Sequence, residues 1–154
     1  MSRVQLALNV DNIDEAVAFY SKLFGTEPAK RRDGYANFAV ANPPLKLVLL
    51  ENAGQGGTLN HLGVEVESTD AVDAEQTRLA EVGLASVDER GTTCCYAKQD
   101  KFWIENAPNG ERWEVYTVLA DSETFGASPK TSAGETDTCC GTASTSDETT
   151  AACC

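Results

Sequence analysis

The sequence predicts an α+β fold: two β-α-β-β-β modules that form a cleft, plus a disordered C-terminal tail. Three observations predict it. A strand–helix–strand pattern occurs twice within residues 1–120, the copies offset by 56 positions. Each copy opens on a strand in which apolar and polar residues alternate. Composition then changes abruptly over residues 121–154. The modules span about 1–56 and 57–120.

In the first module Val4, Leu6, Leu8 and Val10 alternate with Gln5, Ala7 and Asn9, the two-residue period of a half-buried strand. Asn12 and Glu15 form a capping box at the start of a helix. Ile13, Ala16, Val17, Tyr20 and Leu23 recur along it at helical spacing, and Gly25 ends it. Short strands are predicted near residues 29–31, 35–41 and 45–51, and Gly54-Gln55-Gly56-Gly57 closes the module.

The second module restarts the pattern. Leu62, Val64 and Val66 alternate with His61, Gly63 and Glu65, and a helix is predicted over 69–82, stopped by Gly83. Strands follow near 84–88, 95–98, 102–105 and 112–119, with Pro108-Asn109-Gly110 as the turn before the last. Superimposing residues 4–10 on 60–66 places Gln5 over His61, so the domain reads as an internal duplication.

Residues 121–154 contain thirteen Ser or Thr, six acidic residues and the single Lys130. After Phe125 they contain no Leu, Ile, Val or aromatic residue, too little apolar surface to offset the entropy of ordering. The whole chain carries a net charge of −12. Nucleic acid and anionic membranes require clustered Lys and Arg, so neither is expected as a partner. No apolar run is long enough to span a bilayer, and Met-Ser-Arg-Val-Gln-Leu lacks the apolar stretch of a signal peptide. A cytoplasmic location is expected.

The six cysteines form three adjacent pairs: Cys94-Cys95, Cys139-Cys140 and Cys153-Cys154. Adjacent pairs close no loop, unlike the spaced cysteines of stapled secreted domains. Free thiols are expected in a reducing compartment, and such thiols favour soft metals.

The duplicated pattern resembles the vicinal oxygen chelate superfamily, which includes glyoxalase I and the extradiol dioxygenases. Ala18-Phe19-Tyr20-Ser21-Lys22-Leu23-Phe24-Gly25 is similar to its first-helix signature. Asn60-His61-Leu62-Gly63-Val64 and Trp113-Glu114-Val115-Tyr116 are similar to its metal-bearing strands. More closely, residues 1–120 resemble the cadmium-induced proteins and the C–As lyases that cleave organoarsenicals. Tyr35-Ala36-Asn37-Phe38, Pro44-Leu45-Lys46-Leu47-Val48-Leu49 and Cys94-Cys95-Tyr96-Ala97 carry that match.

The resemblance implies a metal held by Gln5, His61 and Glu114. His61 is the one histidine in the chain, and its register with Gln5 raises it above an ordinary core histidine. Glu114 shares a strand face with Tyr116 and Val118, and a carboxylate on so apolar a strand needs a cationic partner. In the glyoxalase branch a fourth ligand comes from the last strand of the first module. Here the residues expected to face the cleft, Leu47 and Leu49, cannot ligate. Imidazole, carboxylate and amide with open positions approximate the facial triad of non-haem Fe(II) oxygenases.

In the C–As lyases the vicinal pair captures trivalent organoarsenicals, which the resemblance carries onto Cys94 and Cys95. Side chains of neighbouring strand residues point to opposite faces, so joint capture requires a turn, expected at Gly91-Thr92-Thr93. A lid-like loop around 91–100 is expected to deliver the substrate. The implied function is Fe(II)- and dioxygen-dependent cleavage of the carbon–arsenic bond of methyl or aryl arsenicals, by a monomer or a homodimer. Two alternatives stand beside it: a soft-metal (cadmium or arsenic) binder without turnover, and a glyoxalase-like isomerase, which the absent fourth ligand disfavours. Cys139, Cys140, Cys153 and Cys154 fit a buffering or relay role for the metalloid.

Overall fold

A computed structural model describes residues 2–126. The element order is β1 (Arg3–Val10), α1 (Ile13–Phe24), β2 (Lys30–Arg32), β3 (Tyr35–Val40), β4 (Leu45–Glu51), β5 (Leu59–Glu65), α2 (Thr69–Glu81), β6 (Ser86–Cys94), β7 (Ala97–Ile104) and β8 (Trp113–Asp121). The two β-α-β-β-β units are therefore present. Their strands join in one mixed sheet in the order β2-β3-β4-β1-β5-β8-β7-β6. Within each half the opening strand pairs in parallel with the closing one, and β1 meets β5 antiparallel at the centre.

Both helices pack on one face of the sheet. The Asn12 side chain accepts from Glu15 N at 3.0 Å, and the Glu51 carboxylate accepts from Ile13 N at 2.8 Å, so two of the N–H groups a helix leaves open are satisfied. Gly25 ends α1 with φ at 62°, the left-handed region that a side chain would strain. The apolar stripe of α1 packs Ile13 and Val17 against Ala36, Phe38, Val40, Leu47 and Leu49. The second helix packs Val72 and Leu79 against Phe102 and Val115. The opposite face of the sheet is left to line the cleft.

Several expectations change. Leu47 and Leu49 face α1, so Lys46, Val48 and Leu50 face the cleft. Strand Leu45–Glu51 is apolar on both faces, so its side-chain alternation carries no face label. The two strands expected at 95–98 and 102–105 merge into a single strand, β7, which covers residues 97–104 and runs through the polar Gln99, Asp100 and Lys101. The expected loop at 91–93 is strand instead. Strand β6 continues to Cys94, and the turn lies at Cys95-Tyr96, with φ at 53° and 60°. Residues 91–100 are thus a paired hairpin rather than a loop. Its tip is anchored to the other module: Lys30 Nζ donates to Tyr96 O at 2.8 Å and to Asp121 at 2.6 Å.

Packing also extends past residue 120. Strand β8 runs to Asp121, Gly126 bridges to Cys94, and Phe125 packs against Tyr35 and Tyr96. The expected disordered tail from 127 onward, with Cys139, Cys140, Cys153 and Cys154, lies outside the described residues.

Candidate metal and thiol site

Gln5, His61 and Glu114 come from three adjacent central strands, β1, β5 and β8, and all three are buried. Gln5 Nε2 donates to Glu114 Oε1 at 2.8 Å and lies 3.0 Å from His61 Nε2. His61 Nε2 stands 3.4 Å from Glu114 Oε1. The three side chains therefore converge on one point. Among the described residues no three His, Cys, Asp or Glu side chains group closely enough to hold a metal, and beside His61 and Glu114 stands the Gln5 amide.

The imidazole tautomer follows from its neighbours. Asn60 Nδ2 donates to Asn9 Oδ1 at 3.0 Å, which turns Asn60 Oδ1 to His61 Nδ1 at 2.7 Å. An amide oxygen only accepts, so Nδ1 carries the hydrogen and Nε2 presents its lone pair to Gln5 and Glu114.

Gly63 makes the convergence possible. It pairs with Gln5 on one side and Glu114 on the other. A Cβ placed there would lie 3.1 Å from Glu114 Cγ and 3.3 Å from Gln5 Cβ and Nε2. The missing side chain leaves room for two functional groups to lean together.

Around this point lie Lys101, which the sequence did not single out, together with Trp103 and Tyr116. Lys101 is fully buried on β7, with Nζ 3.1 Å from Glu114 Oε2, 3.5 Å from Glu89 and 4.6 Å above the Trp103 ring. Trp103 meets His61 edge-on at 5.6 Å. Burial alone would push the Glu114 carboxyl up, but the Lys101 ammonium outweighs it and holds it well below the usual carboxylate range. Glu114 is therefore an anion with Oε2 neutralised by Lys101 and Oε1 turned to the centre. Tyr116 donates its hydroxyl to Gln5 Oε1 at 2.6 Å and lies 3.0 Å from Glu65 Oε2. Burial, then Glu65 and Glu114, push the Tyr116 phenol well up, so it stays protonated. Gln99 Oε1 and Trp103 Nε1, which flank Lys101 on the same face of β7, are buried without a hydrogen-bond partner.

Cys94 and Cys95 lie on the same side of the sheet. Cys94 is buried against Ala7, Tyr35, Val48 and Leu50. Ala7 is the next cleft-facing residue after Gln5, about 7 Å along β1, and is paired with His61. The Cys95-Tyr96 turn swings the second sulfur beside the first, with the two Sγ atoms 3.6 Å apart. Thiolate–metal bonds of about 2.3 Å let two sulfurs on one centre stand up to about 4.6 Å apart. Tyr35, Tyr96 and Phe125 pack over the pair with ring centroids 5.3 to 6.1 Å apart. The expectation of free thiols is not met at Cys95, which is disulfide-bonded in the structure, so capture there requires its reduction.

The glyoxalase/bleomycin resistance protein/dioxygenase superfamily matches residues 3–115. This chain belongs to that superfamily. The cadmium-induced protein CadI of Mycobacterium tuberculosis is 67% identical over 143 residues, covering 91% of this chain and 93% of that protein. The trivalent organoarsenical cleaving enzyme of Thermomonospora curvata is 60% identical over 126 residues, covering 81% of this chain and 83% of that enzyme. Among solved structures, the Mn(II)-bound glyoxalase of Novosphingobium aromaticivorans superposes with a TM-score of 0.54 at 20% identity, over 79% of this chain and 42% of that one. An extradiol ring-cleaving dioxygenase from B. fuscum superposes with the same score at 18% identity, over 79% of this chain and 34% of that one. At those identities the structural likeness shows the superfamily fold alone. No helix among the described residues is long and apolar enough to cross a membrane.

Proposed function

We propose that this superfamily member is a non-haem Fe(II)-dependent enzyme. It uses dioxygen to cleave the carbon–arsenic bond of trivalent methyl or aryl arsenicals. One observation carries the reading: an amide, an imidazole lone pair and a carboxylate converge on one point, one side-chain row from two sulfurs 3.6 Å apart. The relatives named as trivalent organoarsenical cleaving enzymes support it.

The residues fit a divalent cation. Gly63 supplies a cradle that a Cβ would fill, Glu114 supplies an anionic oxygen, and His61 Nε2 is the lone-pair nitrogen. With the Gln5 amide oxygen turned inward, the set is two oxygens and one nitrogen, which suits Fe(II) or Mn(II) better than a thiophilic ion. Bound there, Fe(II) would supply open positions at which substrate and dioxygen react.

The chain's own residues do the rest. Cys94, and Cys95 once reduced, hold arsenic through two sulfurs and leave its organic group beside the aromatic cap of Tyr35, Tyr96 and Phe125. Trp103, packed edge-on against His61, shields the centre from water. Lys101 keeps Glu114 ionised. For a methyl substrate the atoms balance with one dioxygen: CH3As(OH)2 and O2 give As(OH)3 and formaldehyde. Carbon is oxidised by four electrons, and arsenic stays trivalent.

The test is anaerobic Fe(II) reconstitution of the reduced protein, then assay of arsenite release with and without dioxygen. Oxygen-dependent release, lost in Cys94→Ser with Cys95→Ser while Fe(II) still binds, supports the reading, and full activity in that variant rejects it. The second reading is a soft-metal binder without turnover. The paired sulfurs favour it, as does the 67% identity to a cadmium-induced protein. Tight Cd(II) binding with no arsenite release would establish that reading instead.

A further inference from the structure

We infer that Tyr116 and Glu65 are positioning residues that set which end of the Gln5 amide faces the centre. The inference rests on Gln5 being a metal ligand. Tyr116 has one hydroxyl proton, yet two acceptors lie within reach: Gln5 Oε1 at 2.6 Å and Glu65 Oε2 at 3.0 Å. The hydroxyl therefore has two hydrogen-bonded states.

In the first state Tyr116 donates to Gln5 Oε1, and Gln5 Nε2 donates to Glu114 and faces the His61 lone pair. The amide NH2 then stands where a cation would stand and holds two electron-pair donors together. In the second state the Tyr116 proton turns to Glu65, and the phenol oxygen presents a lone pair to Gln5. A half-turn of the amide, about a torsion with two broad minima, lets Nε2 donate to that lone pair. Oε1 then faces His61 Nε2 and Glu114 Oε1, so three acceptors meet, an arrangement that only a cation stabilises. Every donor in this state has one acceptor, from Gln5 Nε2 to Tyr116 and from Tyr116 to Glu65.

Glu65 is suited to the receiving end because it only accepts. Burial pushes its carboxyl up, but Lys46 at 3.5 Å and Arg3 at 3.0 Å outweigh that and keep it ionised. Arg3 spans it with two nitrogens, at 3.0 and 3.2 Å, which fixes the carboxylate under the phenol. Burial pushes the Lys46 amine down and Glu65 pulls it back up, and its Nζ lies 4.8 Å over the Tyr116 ring.

The test is Co(II) binding to the reduced full chain, by calorimetry and by the visible absorption of the bound ion. Tyr116→Phe removes the acceptor for Gln5 Nε2 and should weaken Co(II) by about 10–100-fold, the usual cost of losing a group that orients a ligand. Glu65→Gln reverses the relay, because its amide donates to the phenol oxygen and returns the Tyr116 proton to Gln5. It should weaken binding in the same direction without removing any group from the centre. In a Gln5→Ala background, Tyr116→Phe should change affinity less than about twofold. Equal losses in both backgrounds, or no loss in the native background from either variant, overturn the relay and leave the Gln5 ligand intact. Wild-type affinity that Gln5→Ala does not alter overturns the ligand reading itself.

Discussion

Replacing Gly63 with Ala tests whether its missing side chain sets the spacing of the candidate ligands. The added Cβ would sit 3.1 Å from Glu114 Cγ and 3.3 Å from Gln5 Cβ and Nε2. Ordinary carbon contacts begin at about 3.5 Å, so both neighbours must withdraw by a few tenths of an ångström. Metal–ligand distances tolerate only about 0.2 Å. The same push therefore costs little stability but much affinity. Overpacking costs about 1–3 kcal/mol. The lost backbone freedom of the unfolded chain returns about 0.4–1 kcal/mol, leaving a net loss of roughly 0–2.6 kcal/mol. Co(II) affinity should fall at least about tenfold, the low end for changes that displace a ligand indirectly. Calorimetric titration reads the affinity, and thermal unfolding without metal reads the stability. Unchanged Co(II) affinity in Gly63→Ala, alongside weakened binding in Gln5→Ala, would refute the spacing argument.

Three further outcomes follow from the geometry. Lys101→Met leaves Glu114 as a buried charge without its ammonium, a loss of about 3–5 kcal/mol for a broken buried pair; thermal unfolding of the metal-free protein should show it, and added Co(II) should raise the variant's Tm more than the wild type's. Under reducing conditions Cys95→Asn should stabilise the chain by up to about 1 kcal/mol in urea unfolding, because Asn accepts a positive φ in a two-residue hairpin turn, while arsenical capture is lost. Asp100 accepts from Thr69 Oγ1 and from Gly91 N, each at 2.7 Å, and these bonds lower its pKa. A depressed carboxyl stabilises the fold above its unfolded value of about 3.9 and loses that contribution as pH falls through the folded value. Asp100→Asn should therefore reduce stability at neutral pH and flatten its decline in that acid range, as unfolding across pH would show.

Much of the site was legible because duplication leaves a register. Gln5 and His61 occupy matching places 56 residues apart, and Glu114 stands out as a carboxylate on an apolar strand. The neighbours that bring those three side chains together were not legible. Gly63 looks like any small strand residue until Gln5 and Glu114 are paired on either side of it. Lys101 reads as a solvated charge, and the polar run around it split β7 in the sequence reading, yet it is fully buried. Tyr116 and Glu65 meet across 51 positions. The Cys95-Tyr96 turn carries neither Gly nor Asn, the residues that mark such turns, so local chemistry pointed to a strand there.

By itself the sequence determined what depends on local periodicity: two modules, two helices, and the opening strands that carry Gln5 and His61. Period-two and period-3.6 patterns are written along the chain, so they survive without coordinates. Only the tertiary structure decided what depends on pairing across strands. It turned Lys46, Val48 and Leu50 rather than Leu47 and Leu49 to the cleft, placed the Cys94 row beside His61, and gave the Tyr116 proton its two acceptors. The reason is physical: a one-residue change of register exchanges the two faces of a strand, and a strand apolar on both faces does not reveal which register it takes.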